Sequence, residues 1–354
     1  MLPYFSEQYG NAASHTHLMG TMAKDAVESA RESVAALINA HPQEITFTSG
    51  ATEGLNTALK GIFYKYASKG KHFVSAATEH KAVLDTLGWL VKQGAELTIL
   101  PVNEKGELNL ETLAKSIRRD TVAVAIMYAN NETGVIHPME QISAIVHDKN
   151  SILVCDGTQA IGKIPVNVQQ SGVDVLAFSA HKCYGPKGVG ALYVRRKNPR
   201  VVLDPLLHGG GHERGLRSGT LNVPGIVALG KCAELAPGWI AKYSGEILSL
   251  KAMLEDALCS DGRAIVNGKG ANILPNTLNV RLLNTKAETV IQHIRNRIAL
   301  STGSACSSAN PEPSHVLLAM GLTEKEAHHS LRLSLGIGNT REEMEEIIQI
   351  LGEL

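Results

Sequence analysis

Val173–Phe178, followed by Ser179-Ala180-His181-Lys182-Cys183-Tyr184-Gly185, is the stretch on which the fold turns. Its first half is of strand length and, from Val175 to Phe178, a continuous apolar run. Continuous runs, unlike alternating ones, mark strands buried on both faces, as in a mainly parallel sheet with helices on either side. Ile45-Thr46-Phe47-Thr48, His72–Ala76, Leu97–Pro101, Val122–Tyr128, Ile152–Cys155 and Ala191–Val194 read as further strands. Residues 51–63 read as a helix, with Leu55, Ala58, Leu59, Ile62 and Phe63 on one face. Lys81–Lys92 reads as another. The pattern breaks at Pro237-Gly238. Beyond it come a long helical stretch (Ile240–Leu258), strands at Thr277–Leu282 and Leu331–Leu335, and helices at Glu288–Arg297 and 341–353. We expect a large α/β domain over 1–236 and a smaller α+β domain over 237–354.

Composition narrows the function. The 354 residues carry 34 Lys+Arg against 34 Asp+Glu, a net charge of zero, so nucleic acid is not an expected partner. No apolar run approaches the roughly 20 residues that span a bilayer. No basic-then-apolar leader opens the chain, so a membrane is not expected either. Five cysteines (Cys155, Cys183, Cys232, Cys259 and Cys306) are spread singly with no C-x-x-C, which suits a reducing, cytoplasmic setting rather than a disulfide scaffold or a zinc finger.

In open α/β sheets, ligands sit beyond the carboxyl ends of the strands. Three strand ends carry groups of interest. After Ile45–Thr48 come Ser49-Gly50-Ala51-Thr52-Glu53, a small-residue turn into a helix; it reads equally as a phosphate seat or a plain N-cap. Ile152–Cys155 ends on Asp156, an acid that burial penalises unless it meets a cation or donors. After Val173–Phe178 comes Lys182, expected to lie off the solvated face with a depressed pKa and a nucleophilic amine, against the commoner reading of a snorkelling lysine. Asn130-Asn131-Glu132, after Val122–Tyr128, reads alone as turn chemistry. A phosphate anchor, a carboxylate and a lysine are together what pyridoxal phosphate requires.

Longer motifs add to this. Thr48-Ser49-Gly50-Ala51-Thr52-Glu53, Thr78-Glu79-His80-Lys81-Ala82-Val83, Asn130-Asn131-Glu132, Asp156-Gly157-Thr158-Gln159 and residues 179–188 occur in order. They are followed by the Gly-rich run His208–Thr220, by Ser301–Ser307 and by Leu331–Gly336. Through these the chain, from about residue 10 to 345, resembles the cysteine desulfurases of the NifS/IscS type, in the class V aminotransferase group of pyridoxal phosphate enzymes. The resemblance implies an aspartate aminotransferase-like fold, a homodimer, L-cysteine as substrate and a protein acceptor for the sulfur. It implies that Lys182 bonds the cofactor aldehyde, Asp156 its pyridine nitrogen and Gln159 its ring oxygen. His80 stacks on the ring. Ala51, Thr52, Ser179 and His181 hold the phosphate, with Thr220 supplied to the neighbouring subunit. Asn131 orients cofactor or substrate, Arg332 clamps the substrate carboxylate, and Cys306 accepts the sulfur as a persulfide.

The residues themselves support two of these roles. Leu331, Leu333 and Leu335 share one strand face and Arg332 with Ser334 the other, where a guanidinium fork matches a carboxylate. Cys306 lies among small, polar and breaker residues, which suits an accessible thiol. Cys155, Cys183, Cys232 and Cys259 read as packing. His15/His17 and His208/His212 lack further ligands at metal-site spacing, so no metal is expected. Two alternatives stay open: a selenocysteine lyase or another enzyme of the same fold, and an inactive homologue acting as a scaffold. The second arises because the family's usual opening strand, before the segment that begins at Met1, is missing from this sequence.

Overall fold

The structure is a computed structural model that describes residues 1–260, 262–301 and 312–352. Its strands are β1 (Ile45–Thr48), β2 (His72–Ala76), β3 (Glu96–Leu100), β4 (Thr121–Ala125), β5 (Ile152–Asp156), β6 (Val175–Ser179), β7 (Gly190–Val194), β8 (Ala264–Val266), β9 (Thr277–Leu282) and β10 (Ser330–Ser334). The helices preceding β8 are α1 (Leu18–Leu37), α2 (Ala51–Lys65), α3 (Lys81–Lys92), α4 (Leu110–Ser116), α5 (Met139–Asp148), α6 (Val168–Ser171), α7 (Val223–Lys242) and α8 (Leu248–Cys259). After β9 come α9 (Ala287–Ile294), α10 (His315–Ala319), α11 (Glu324–His328) and α12 (Arg341–Gly352).

Seven strands form one sheet in the order β1-β7-β6-β5-β4-β2-β3. The central pairs β3–β2, β2–β4, β4–β5 and β5–β6 are parallel, while β7 and β1 add antiparallel at one edge. Every residue of β2, β4, β5, β6 and β7 is buried, as continuous apolar runs demand; β3, at the free edge, is buried only at Leu100. Two apolar layers cover the faces. One contains Leu55, Leu59 and Ile62 of α2, all fully buried, each side chain worth about 1.5–3 kcal/mol of burial. The other contains α1 and α7, where Gly230 lets the helices touch: a Cβ there would lie 2.6 Å from Ala30.

A second sheet, β10-β9-β8, is antiparallel and packs its apolar face on α8 and α12. The expected break at Pro237-Gly238 is not a helix end. Helix α7 runs through Pro237 to Lys242 and continues by a π-helical turn at Tyr243–Ile247 into α8. An interior proline costs a helix about 3 kcal/mol, but Ala233, Ala236, Tyr243 and Ile247 on the buried face hold the rod together. No helix among the described residues is long and apolar enough to cross a membrane.

Candidate active site

The parallel strands β2, β4, β5 and β6 all deliver their carboxyl ends to one edge of the large sheet, and there the chemistry-bearing residues gather. Asp156 closes β5 and pairs in register with Ala177 of β6, two residues before Ser179. The turn after β1 meets the same place. Gly190 of β7 makes this possible, because a Cβ there would lie 2.7 Å from Gly50 Cα. Gly50 is the N-cap of α2 at φ 156°, and Ser179 Oγ accepts the Ala51 N–H at 2.8 Å. The first N–H groups of α2, those of Ala51 and Thr52 among them, have no intrahelical acceptor and carry the positive end of the helix dipole. Glu53 in that turn accepts from Ser49 N–H and from Arg217 Nε, both at 2.8 Å. Burial pushes its carboxyl up, but these donors and the Arg217 charge win and its pKa ends below the ordinary value. His181 lies one residue before Lys182, its imidazole pKa lowered by partial burial and by the Lys182 and Lys187 charges.

Asp156 is 7 % exposed, accepts the Thr158 N–H at 2.9 Å and makes no ion pair among the described residues. A buried carboxylate without a cation is costly unless something positive meets it. His80 caps α3, its Nδ1 accepting the Ala82 N–H at 3.1 Å, which fixes the ring plane. Beneath it Glu79 is fully buried: one carboxylate oxygen accepts Met127 N–H at 2.7 Å, the other has no partner, and burial first, then nearby Asp156, raises its pKa well above the ordinary range. Residues 157–164 form a short helical turn, with Ile161 and Ile164 donating to the carbonyls of Gly157 and Ala160. That turn stacks Lys163 on Gln159: Lys163 Nζ lies 3.0 Å from Gln159 Oε1 and 3.1 Å from its carbonyl.

Lys182 follows β6 in a single 3-10 turn. Its side chain is exposed at the mouth of the cleft, a correction to the expectation that it would lie off the solvated face: the chain turns outward at Ala180, which is buried, so the two residues that follow emerge. Its amine pKa is nevertheless lowered, by partial burial first and then by the Arg332 charge. Arg332 sits on the β10 face opposite Leu331 and Leu333, as the alternation predicted. It reaches across from the small sheet to donate to the Asn131 carbonyl at 2.9 Å and to Ser301 Oγ at 3.0 Å. Its pKa is lowered by burial, partly countered by Glu132. Asn131 has a buried Oδ1 without a partner. Glu132 in turn accepts from Ser314 Oγ, and His315 Nε2 contacts the Glu79 carbonyl at 2.9 Å, so the start of α10 is tied to both loops.

The structure thus brings Ala51, Thr52, His80, Asn131, Asp156, Gln159, Ser179, His181, Lys182 and Arg332 to one sheet edge. Thr220 is exposed at the end of the Gly-rich run. Cys306 lies outside the described residues. Cys155, Cys183 and Cys232 are buried; Cys259 is only partly so, a partial departure from its reading as core. His17 caps α1 through Nδ1, and His212 Nδ1 accepts the Gly219 N–H at 3.3 Å. Among the described residues no group of three His, Cys, Asp or Glu is placed to hold a metal. Glu79 and Ser301 stand in the quoted motifs without an assigned role, and Lys163 and Ser314 were not singled out; of these two, Lys163, a cation inside the mostly apolar run Ala160–Ile164, carried a signal in the sequence.

Comparison with known proteins gives this geometry a family. The model of the aminotransferase class-V family matches residues 1–347. A cysteine desulfurase IscS of Anaeromyxobacter sp. (strain Fw109-5) is 50 % identical over all of this chain and 87 % of its own length. One from Neisseria gonorrhoeae is 45 % identical over 99 % of this chain and 86 % of its own. Among solved structures, a NifS-like protein superposes with a TM-score of 0.91 at 38 % identity, covering 100 % of this chain and 94 % of its own. DndA from Streptomyces lividans gives 0.82 at 38 % identity, covering 95 % and 94 %. With its sheet order, its lysine-bearing strand end and its opposed arginine all in place, the chain belongs to the aminotransferase class-V family, among the cysteine desulfurases of the NifS/IscS type.

Proposed function

We propose that this chain takes sulfur from L-cysteine, leaving L-alanine and a persulfide on Cys306, with pyridoxal phosphate held at the carboxyl edge of the large sheet. The observation that carries the reading is an amine of lowered pKa, Lys182, near enough to the half-buried guanidinium of Arg332, brought in by the small sheet, to feel its charge. An α-amino acid needs both: an attachment and proton-transfer point at its amine end, and a fork for its carboxylate. A solved relative, described as SspA in complex with cysteine, superposes at a TM-score of 0.82 with 34 % identity.

The residues present fit the cofactor. Asp156 is a buried carboxylate lacking a cation, which suits a protonated ring nitrogen. The α2 N-terminus, backed by Ser179, suits a phosphate; Thr52 and His181 flank it, and Thr220 reaches the same site of a second copy in a homodimer. Gln159 would bond the ring oxygen, His80 would stack on the ring face and Asn131 would orient the bound amino acid. Bound there, pyridoxal phosphate supplies an electron sink conjugated to the substrate's α-carbon.

The chain's own residues do the rest. Arg332 holds the substrate carboxylate. Lys182 Nζ takes the α-proton and returns it, and Asp156 keeps the ring nitrogen charged. The Cys306 thiolate attacks the substrate sulfur: the carbon–sulfur bond breaks, a sulfur–sulfur bond forms on Cys306, and the carbon left behind is protonated to alanine. The sulfur then passes to an acceptor protein, as iron–sulfur cluster or thio-cofactor synthesis requires, in a cytoplasmic setting. Cofactor-loaded protein incubated with L-cysteine and a thiol should release alanine and sulfide in equal amounts. Cys306→Ser should keep the visible absorbance band and lose turnover; normal turnover in that variant would refute the assignment of the thiol.

A further inference from the structure

The buried ammonium of Lys163 has no role in the chemistry above, yet it stands directly behind a residue that does. It is 7 % exposed. An ammonium has three donors and no acceptor. Two of the three go to one residue, Gln159, at its side-chain oxygen (3.0 Å) and its carbonyl (3.1 Å). No carboxylate lies within ion-pair distance of it among the described residues. The groups whose charge it feels are Lys182, Cys183 and Arg332; burial foremost, then Lys182, pushes its pKa down to about 8, so it is still mostly cationic at neutral pH. A buried cation without an anion is an expensive thing to fold around, and a salt-free anchor for one short turn could be made more cheaply from an apolar residue.

The chemistry of the contact explains its retention. A glutamine amide has an accepting end and a donating end. Because Lys163 can only donate, it fixes Oε1 toward itself and leaves the NH2 as the end offered to the cleft. We propose that Lys163 is a positioning residue that locks the Gln159 amide as a hydrogen-bond donor to the ring oxygen of the cofactor and sets a fixed positive charge behind that bond. This rests on the cofactor reading above and deepens it. Donor and charge together favour the ring oxygen as an anion. They therefore disfavour a proton on Lys182 Nζ once that nitrogen is joined to the cofactor.

The test is a pH titration of the visible absorbance band of cofactor-loaded protein, alongside pyridoxal phosphate titrated into cofactor-stripped protein. With Lys163→Met, the band's midpoint should rise by about one pH unit, a tenfold change in acidity, and the cofactor dissociation constant should increase by about fivefold, the weight of one weakened hydrogen bond. Lys163→Arg should restore the midpoint. Gln159→Ala should raise it similarly, and the double variant should do no more than either single change, since the two act as one unit. Lys163→Gln, which keeps the volume without the charge, should also raise it and serves if the methionine variant does not fold. An unmoved midpoint in folded Lys163→Met or Lys163→Gln, or additive shifts in the double variant, would overturn the inference while leaving the cofactor reading intact. A parent protein that shows no visible band with added pyridoxal phosphate would overturn both.

Discussion

Replacing Glu213 by alanine should destabilise the protein by about 4 kcal/mol. Glu213 lies in the Gly-rich run yet is only 7 % exposed, and Arg31 beneath it is 2 % exposed. Its carboxylate takes three donors: Arg31 Nη1 at 2.8 Å, Arg31 Nη2 at 2.7 Å and the Phe47 N–H of β1 at 2.7 Å. Without it, Arg31 keeps the Ile45 carbonyl at 2.8 Å and the half-exposed Glu28 at 3.1 Å. Removing one member of a buried pair costs about 3–5 kcal/mol, and an unmade buried N–H about 1–3 kcal/mol. The two losses share a site and do not add fully. Residue 213 sits at φ +48°, and alanine is as strained there as glutamate, so the comparison isolates the carboxylate. At about 2 °C per kcal/mol for a large domain, the melting temperature should fall by roughly 8 °C. Circular dichroism melts at pH 7.5 would read it. Arg31→Met combined with Glu213→Met should recover more than half of the loss, because no unpaired charge is left behind. A fall of under about 2 °C, against the scale just given, would refute the reasoning, as would a double variant no more stable than Glu213→Ala.

Two further outcomes are expected. Arg332→Lys keeps the charge but cannot reach Asn131, Ser301 and a carboxylate together; its KM for L-cysteine should rise about 10- to 100-fold, the weight of a charge-assisted hydrogen bond, with the visible band unchanged. A KM within threefold of the parent, well below that weight, would sink the clamp. His137 is buried with Nε2 unpartnered, and burial pushes its pKa down to about 4 from 6.5. The unfolded chain therefore binds the extra proton between those values, and stability is lost as pH falls from 6.5 toward 4, at up to about 1.4 kcal/mol per pH unit. His137→Gln should flatten that part of the curve in urea unfolding; parallel curves for the two proteins would show that His137 is not its source.

The legible parts of the fold are those where one physical signal stood alone. Ile45–Thr48, His72–Ala76, Lys81–Lys92 and Thr277–Leu282 are found with the expected bounds, because apolar runs there end abruptly in polar or small residues. Val122–Tyr128 outran β4, which ends at Ala125; Ile126 and Tyr128 still donate to the Val154 and Asp156 carbonyls, so the apolar run does track β5 beyond the regular ladder. Pro237 misled because tertiary burial outweighed a local breaker. At the site, residues fixed by strand ends could be read, since topology alone places them. Contacts made by a turn could not. Gly157 and Gly162 disguise the helical turn that stacks Lys163 on Gln159, and Ser314 meets Glu132 only because two distant segments fold together.

The unbroken course of α7 has a mechanical consequence. Between the two sheets the chain offers no slack tether at residue 237, only a rod with one carbonyl, that of Ala233, robbed of its usual amide by Pro237, and a widened turn at Tyr243–Ile247. Any change in the separation of Arg332 and Lys182 that passes through α7 therefore has to flex a beam at two soft points rather than swing on a string, and a protease cutting at exposed linkers should find none there to sever.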